Sequence, residues 1–218
     1  ASPTPIVYSV SKPEQNTFYL VNYPMVQTEI LWKHPAGDFT TGVLPSLKVF
    51  NSYFGGGMSS LVFQTIRESK ALAYSTYSTT STPSKLTDPF IVNCYVGCQA
   101  DKMDDAITAM DDLMSVEKLP YDNLSFQTAI NSNINSIQAD RITRGAILFY
   151  YRNAMKLGLT QDQRKVNYEK IPTLNYQNIL NVYTNMVYKK TFNIGVVGNF
   201  EKMDLDFLKQ NGVVNKLE

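Results

Sequence analysis

The chain has 218 residues, of which 44% are apolar and 18% are charged, and this length and composition fit one large globular domain or two small ones. Lys and Arg number 20 against 19 Asp and Glu, so the net charge is +1, and the absence of a basic stripe argues against binding to nucleic acid or an anionic membrane surface. No uninterrupted apolar run approaches the roughly 20 residues that a membrane-spanning helix needs.

The first residues read as a linker. The chain begins Ala1-Ser-Pro-Thr-Pro5, without an initiator methionine or a signal-peptide pattern. We therefore expect residues 1–15 to be a linker tail and the chain to be a segment of a longer protein. No break in composition and no internal repeat divides the remainder, so residues 16–218 are predicted to form a single domain.

The sequence pattern of the N-terminal third predicts strands followed by helices. Residues 16–34 are rich in β-branched and aromatic side chains and predict two strands or one bent strand, ended by Pro35-Ala-Gly37. A first helix is indicated by apolar residues at helical spacing, namely Leu44, Leu47, Phe50 and Phe54. After three glycines, a second helix is indicated in the same way by Met58, Leu61, Val62, Thr65 and Ile66.

The middle of the chain predicts a pair of strands. Residues 73–80 are rich in Tyr, Ser and Thr and have no helical stripe, and residues 90–98 form a second run of this kind. Because only a short loop joins them, we expect the two strands to be antiparallel.

The C-terminal half is predicted to be mainly helical. Asp101 is expected to cap a helix whose apolar stripe is Met103, Ile107, Met110 and Met114. Pro120 is expected to open a long helix that contains Leu124, Ile130, Ile134 and Ile137. A further helix over 143–157 should stop at Gly158.

The last segments complete the predicted fold. Thr173 is expected to cap a helix that runs to Met186, followed by a short buried strand over 192–197 and a helical turn over 204–210. Runs of helices between strands, rather than strict alternation, predict an α+β fold with a mainly antiparallel sheet covered by helices.

The metal-ligating residue types do not cluster. His34 is the single histidine, whereas a zinc peptidase site needs about three protein ligands and a water. On a strand, Cys94 and Cys98 would lie on one face roughly 13 Å apart, too far for a disulfide, so they read as buried thiols. We therefore expect this chain to bind no metal and no cofactor.

The glycine cluster Gly55-Gly56-Gly57 has no phosphate-binding pattern. A Walker loop ends in Gly-Lys-Ser/Thr, whereas this cluster ends Gly57-Met58-Ser59, and a dinucleotide fingerprint follows a strand, whereas here a helix precedes. The structural interpretation is a tight connection between two helices, and a role in substrate binding stays open beside it.

The segment from Phe54 to Ser75 is the most specific feature of the chain, and it contains the run Ile66-Arg67-Glu68 followed by Leu72-Ala73-Tyr74-Ser75. It resembles the C-terminal-type domains of the pitrilysin, insulinase and mitochondrial processing peptidase (M16) family of zinc metallopeptidases. In that family an Arg and a Tyr seven residues apart reach the active site from a half that carries no zinc. Arg67 and Tyr74 have this spacing, while Ala71 stands where the family usually has Gly.

The resemblance implies a function and partners. The zinc motif His-x-x-Glu-His is absent, so zinc, its ligands and the catalytic Glu are expected on an N-terminal-type domain, in the same polypeptide or a partner subunit. Arg67, Tyr74 and the glycines Gly55, Gly56 and Gly57 are then the predicted contacts of a peptide substrate, and the isolated chain is expected to be inactive. The alternatives are a non-catalytic domain of this fold for assembly or peptide binding, and an unrelated α+β binding domain.

Overall fold

The computed structural model describes residues 11–217, so most of the predicted linker tail lies outside the described residues. Six strands form one sheet in the order β3-β4-β2-β5-β1-β6. The strands are β1 (Thr17–Asn22), β2 (Gln27–Asp38), β3 (Ala73–Ser81), β4 (Pro89–Gln99), β5 (Asn193–Gly198) and β6 (Val213–Leu217).

The sheet is mixed, and antiparallel pairs predominate. The pairs β3–β4, β4–β2 and β2–β5 are antiparallel, as predicted for β3 and β4, whereas β1 runs parallel to both β5 and β6. The first segment therefore forms two separate strands with β5 between them. The α+β class predicted from the order of elements is confirmed.

Strand β2 is longer than predicted. It passes through Pro35 and Gly37 to Asp38, although the proline and glycine were expected to end it. A shift of register against β4 between Pro35 and Asp38 takes up the proline, which has no N–H to give to the ladder, and Gly37 adopts a φ of +94° there.

The helices pack mainly on one face of the sheet. They are α1 (Leu44–Phe54), a π-helix (Phe63–Ser69), α2 (Met103–Ser115), α3 (Asn123–Ala139), α4 (Ile147–Lys156), α5 (Gln163–Lys170), α6 (Tyr176–Met186) and α7 (Leu205–Asn211). None of the helices between residues 11 and 217 has the length and apolarity that would let it cross a membrane.

Three predicted helix starts are wrong. Asp101 lies in a short 3-10 turn, and α2 begins two residues later without a side-chain cap. Pro120 precedes α3, which is capped by the Asp122 side chain. Thr173 also lies too early, since Asn175 caps α6 in a capping box. For α3 and α6 the residue that caps the helix lies two residues after the predicted one, because several neighbouring polar residues suit a cap equally well in sequence.

Two elements were not predicted. Helix α5 has the sequence QRKVNYEK, which shows no apolar stripe, and β6 is exposed along most of its length. The helix predicted over 143–157 begins only at Ile147, and Gly158 does follow its end with a φ of +63°.

The core lies between one face of the sheet and the helices. The inward strand residues alternate along each strand and include Phe18, Leu20, Ile30, Trp32, Val92, Val96, Ile194 and Val196. The predicted methionine stripe of α2 is buried against them. Cys94 and Cys98 are free thiols in this core, where burial raises the pKa of each to about 12.

Helix α4 contrasts with the rest, because none of its residues is buried. Its large apolar side chains are instead exposed, namely Ile147, Leu148, Phe149, Tyr150, Tyr151 and Met155. A contiguous apolar surface of this kind is unusual on a domain that functions alone.

Candidate functional site

The glycine cluster forms the tight connection between α1 and the next helical segment, as predicted. A Cβ atom at Gly55 would lie 2.2 Å from the carbonyl oxygen of Ser78, so only glycine permits this approach of α1 to β3. Gly57 has a φ of +95°, in the left-handed region that favours glycine. Met58 was expected in the second helix, but it lies in this connection and is 75% exposed.

The end of α1 caps part of the outer edge of β3. The Ser78 N–H donates to the Gly55 carbonyl at 3.2 Å. The Asn51 side chain accepts from the Thr80 N–H at 2.8 Å and donates to the Thr80 carbonyl at 2.9 Å. Since outward-facing main-chain groups recur at every second residue, the next such position along this edge is Thr76.

Arg67 lies in the last turn of the π-helix, where the sequence placed the end of a helix. The wider hydrogen-bond spacing shows in the Lys70 N–H, which donates to the Thr65 carbonyl five residues back at 3.1 Å. The guanidinium lies 4.9 Å from the centre of the Phe63 ring, and its Nε is 4.0 Å from the Glu68 carboxylate. Both charged side chains are about half exposed, so this ion pair holds Arg67 only weakly.

The turn between the π-helix and β3 contains Ala71 in the left-handed region, with a φ of +49°. The Leu72 N–H donates across it to the Ile66 carbonyl at 3.0 Å, a bond that spans one residue more than the six-residue bond of a Schellman motif and so continues the wide spacing of the π-helix. Ala71 thus occupies the left-handed position just after a helix end, where glycine is usual, and this is the position at which the resemblance shows its departure.

Tyr74 is the second residue of β3 and lies at a β-bulge. Ala73 pairs with Cys98 and Ser75 pairs with Gly97, so Tyr74 is an extra residue on its strand. Its ring is 52% exposed, and its hydroxyl accepts a hydrogen bond of 2.8 Å from Nε2 of Gln99. The polar contacts of Arg67 and Tyr74 thus go to other residues, and their convergence on one substrate stays a prediction.

A stacked pair of tyrosines lies beside Tyr74 on the same face of the sheet. Tyr77 of β3 stacks on Tyr95 of β4, with ring centres 5.2 Å apart, and the Tyr95 hydroxyl donates to the Glu29 carboxylate. Burial and then this carboxylate raise the pKa of Tyr95 to about 12. The hydroxyl proton of Tyr95 is therefore already committed to a partner.

The residues that the structure describes do not fit a zinc ion. Nδ1 of His34 lies 2.7 Å from the Thr191 carbonyl oxygen and its ring packs on Phe192, and burial lowers its pKa. Between residues 11 and 217, no group of three or more His, Cys, Asp or Glu side chains is arranged to hold a metal.

Sequence reasoning missed two residues of this region. Gln99 contacts Tyr74 across 25 positions of sequence, and Asn51 contacts Thr80 across 29. Neither contact could be predicted from the sequence, because polar residues such as Gln99 at a strand end and Asn51 on a helix face are common. The β-bulge that orients Tyr74 also leaves no mark on the pattern of apolar residues.

Two comparisons with known protein sequences agree with each other. The model of a family described as the peptidase M16 inactive domain matches residues 1–132. A curated relative, an uncharacterized zinc protease of Streptomyces coelicolor, is 40% identical over 62 residues, which are 28% of this chain and 13% of that protein.

Solved structures share the fold. A conserved protein of Enterococcus faecalis superposes with a TM-score of 0.72 at 16% identity, and a peptidase M16 inactive domain of Pseudomonas fluorescens with 0.69 at 16%. A protease of Helicobacter pylori gives 0.66 at 13%. Each match covers more than 90% of this chain but only 46–48% of the other, so the chain spans less than half the length of these proteins.

Proposed function

Because the chain belongs to the family of peptidase M16 inactive domains, we propose that it is the substrate-binding, non-zinc half of a zinc-dependent endopeptidase. In this role it completes the active site for hydrolysis of a peptide bond. The observation that carries the proposal is the surface formed by residues 54–76. There a half-exposed guanidinium and a half-exposed phenol, Arg67 and Tyr74, flank one tight turn and both have hydrogen-bond donors to spare.

Each side chain has a distinct task in this proposal. Arg67 offers planar, permanently charged donors that suit a carboxylate or carbonyl of the bound peptide. Tyr74 offers a neutral O–H that stabilises a carbonyl oxygen as negative charge develops on it. Both act by orienting the peptide and by donating hydrogen bonds, and neither transfers a proton.

The edge of β3 supplies a third contact. Beyond the part capped by Asn51 and Gly55, the main-chain groups of Thr76 face outward, next to Tyr74 in the strand. An extended peptide that adds as a strand here forms main-chain hydrogen bonds to Thr76. Gly56 and Gly57, both exposed, then border the peptide without side chains that would obstruct it.

The metal belongs to the partner in this proposal. Zinc and its ligands are expected on an N-terminal-type domain, where the metal supplies the activated water for attack on the peptide carbonyl. The isolated chain is therefore expected to be inactive, and activity belongs to the paired protein, meaning this chain together with that domain.

A non-catalytic assembly role is the second candidate, and helix α4 favours it. Its exposed apolar side chains are suited to packing against another domain.

The test is zinc-dependent hydrolysis of a fluorogenic peptide by the paired protein. We expect Arg67→Ala and Tyr74→Phe each to lower kcat/KM by between about 10- and 100-fold, because each removes a donor to the substrate. The matched controls are Lys70→Ala, which removes an exposed cation just after the same helix, and Tyr77→Phe, which removes a hydroxyl from the same strand.

Unchanged kcat/KM in both site variants would refute the role of the pair. Peptide binding by a paired protein that shows no hydrolysis at all would support the assembly function instead. Circular dichroism of every variant separates loss of a contact from loss of the fold.

A further inference from the structure

The hydroxyl of Tyr74 has a single hydrogen-bond partner within the described chain, and this partner is a donor. Nε2 of Gln99, the last residue of β4, lies 2.8 Å from the phenol oxygen. A phenol has one proton and two lone pairs. Since Gln99 occupies a lone pair, the proton of Tyr74 stays free to be donated elsewhere.

The bulge in β3 is what makes this contact possible. Along a regular strand, Tyr74 would share a face with Thr76, Ser78 and Thr80, whose side chains are buried toward the helices. The extra residue breaks this alternation, so the Tyr74 ring remains half exposed and reaches Gln99 on the opposite face. Bulge and amide together therefore fix the direction of one side chain.

The neighbouring tyrosine shows what the opposite arrangement does. Tyr95 is bonded to a carboxylate, Glu29, which accepts and so consumes the phenol proton. Tyr74 is bonded to an amide nitrogen, which donates and leaves the phenol proton available. Two tyrosines on one face of the sheet are thus set to opposite hydrogen-bonding states by the partner that each one has.

We propose that Gln99 is a positioning residue that holds the Tyr74 hydroxyl as a hydrogen-bond donor toward the carbonyl oxygen of a bound peptide. This inference rests on the proposed function, because it concerns the same site. The hydrogen bond that the Gln99 amide donates to the phenol oxygen also polarises the phenol O–H and makes it a stronger donor. Gln99 itself need not touch the substrate.

The decisive variant is Gln99→Glu, which keeps the size and shape of the side chain but replaces the donor with an acceptor. In the paired protein it should lower kcat/KM by about as much as Tyr74→Phe, between about 10- and 100-fold, because both leave no phenol proton for the substrate. Gln99→Met, which removes the contact without capturing the proton, should have a smaller effect than Gln99→Glu.

Two further readouts distinguish positioning from a structural role. The double variant Gln99→Glu/Tyr74→Phe should be no slower than Tyr74→Phe alone, since Gln99 acts only through that hydroxyl. The activity of Gln99→Glu relative to the unmodified protein should also recover as the pH falls and the introduced carboxyl becomes protonated and can donate again. Tyr77→Phe should show neither effect.

The outcomes separate the two proposals. If Tyr74→Phe is slow but Gln99→Glu turns over at the unmodified rate, the positioning role is overturned and the proposed function stands. If the double variant is much slower than either single variant, Gln99 has an independent role and the inference is likewise overturned. If Tyr74→Phe itself is unimpaired, the role of Tyr74 fails and the inference fails with it.

Discussion

The turn that joins the two predicted site residues carries strain that a single substitution should relieve. Ala71 lies between the helix of Arg67 and the strand of Tyr74, and its φ of +49° places an L-residue in the left-handed region. There the Cβ crowds the backbone at a cost of roughly 1–2 kcal/mol. Glycine has no Cβ, so Ala71→Gly removes this cost while the Leu72 to Ile66 hydrogen bond is kept.

The net gain is smaller than the strain. Glycine gives the unfolded chain more freedom, which offsets roughly 0.4–1 kcal/mol. Ala71 is exposed, so its methyl group contributes little packing. We therefore expect Ala71→Gly to raise the free energy of unfolding by about 0.5–1 kcal/mol, and the melting temperature by about 1–4 °C for a domain of this size.

The assay is urea unfolding followed by circular dichroism, with the midpoint compared at equal m-value. The matched control is Ala73→Gly, the same chemical change in a strand, which should destabilise by about 0.5–1 kcal/mol because the backbone there has no strain to lose. A destabilising Ala71→Gly, or one that behaves like Ala73→Gly, would refute the left-handed turn and the geometry it imposes on the site.

Two other substitutions test the structure around the site and the core. Burial raises the pKa of the Asp111 carboxyl from 3.8 to about 6, so the folded protein holds the proton of this carboxyl more tightly than the unfolded chain does. The stability that results is fully present below about pH 4 and is lost as the pH rises through about 6. The loss in the free energy of unfolding is at most about 3 kcal/mol. In denaturant titrations Asp111→Asn should therefore raise the free energy of unfolding at pH 7 but not at pH 4. Asp112→Asn, at the exposed neighbouring position, should change it at neither pH. Gly55→Ala should destabilise the fold by at least about 1–3 kcal/mol, because the added Cβ would lie 2.2 Å from the Ser78 carbonyl oxygen. The control Gly145→Ala should have little effect, since a Cβ there would meet no atom within 4 Å. Equal shifts in melting temperature for these two variants would contradict the close approach of α1 to β3.

Local pattern predicted much of this fold, and non-local contact explains what it missed. The helix over 44–54 and the pair β3 and β4 follow from apolar spacing and a short loop. By contrast β6 has no apolar alternation, and it forms because β1 offers it an edge almost 200 residues away in sequence. In a π-helix each hydrogen bond spans one residue more than in an α-helix. The apolar spacing of the two is nearly the same, so the sequence predicts a helix here but not which kind.

The site divides in the same way. The placement of Arg67 near a helix end and Tyr74 near a strand start could be predicted, because both follow from local periodicity. The direction of Tyr74 could not, since it depends on a bulge against β4 and on Gln99, and both depend on the pairing of two strands. Sequence thus indicates which residues are candidates, whereas the pairing register decides where they point.

The position of β1 in the sheet also constrains how the protein is made. Of the six strands that the structure describes, β1 is synthesised first, yet its two partners, β5 and β6, are the last two to be synthesised. The antiparallel strands β2, β4 and β3 can pair early, but β1 must wait until β5 and β6 have been translated. Until then an unpaired strand and the bare edge of β2 are open to other chains, so premature termination before β5 should yield an aggregating product instead of a smaller stable domain.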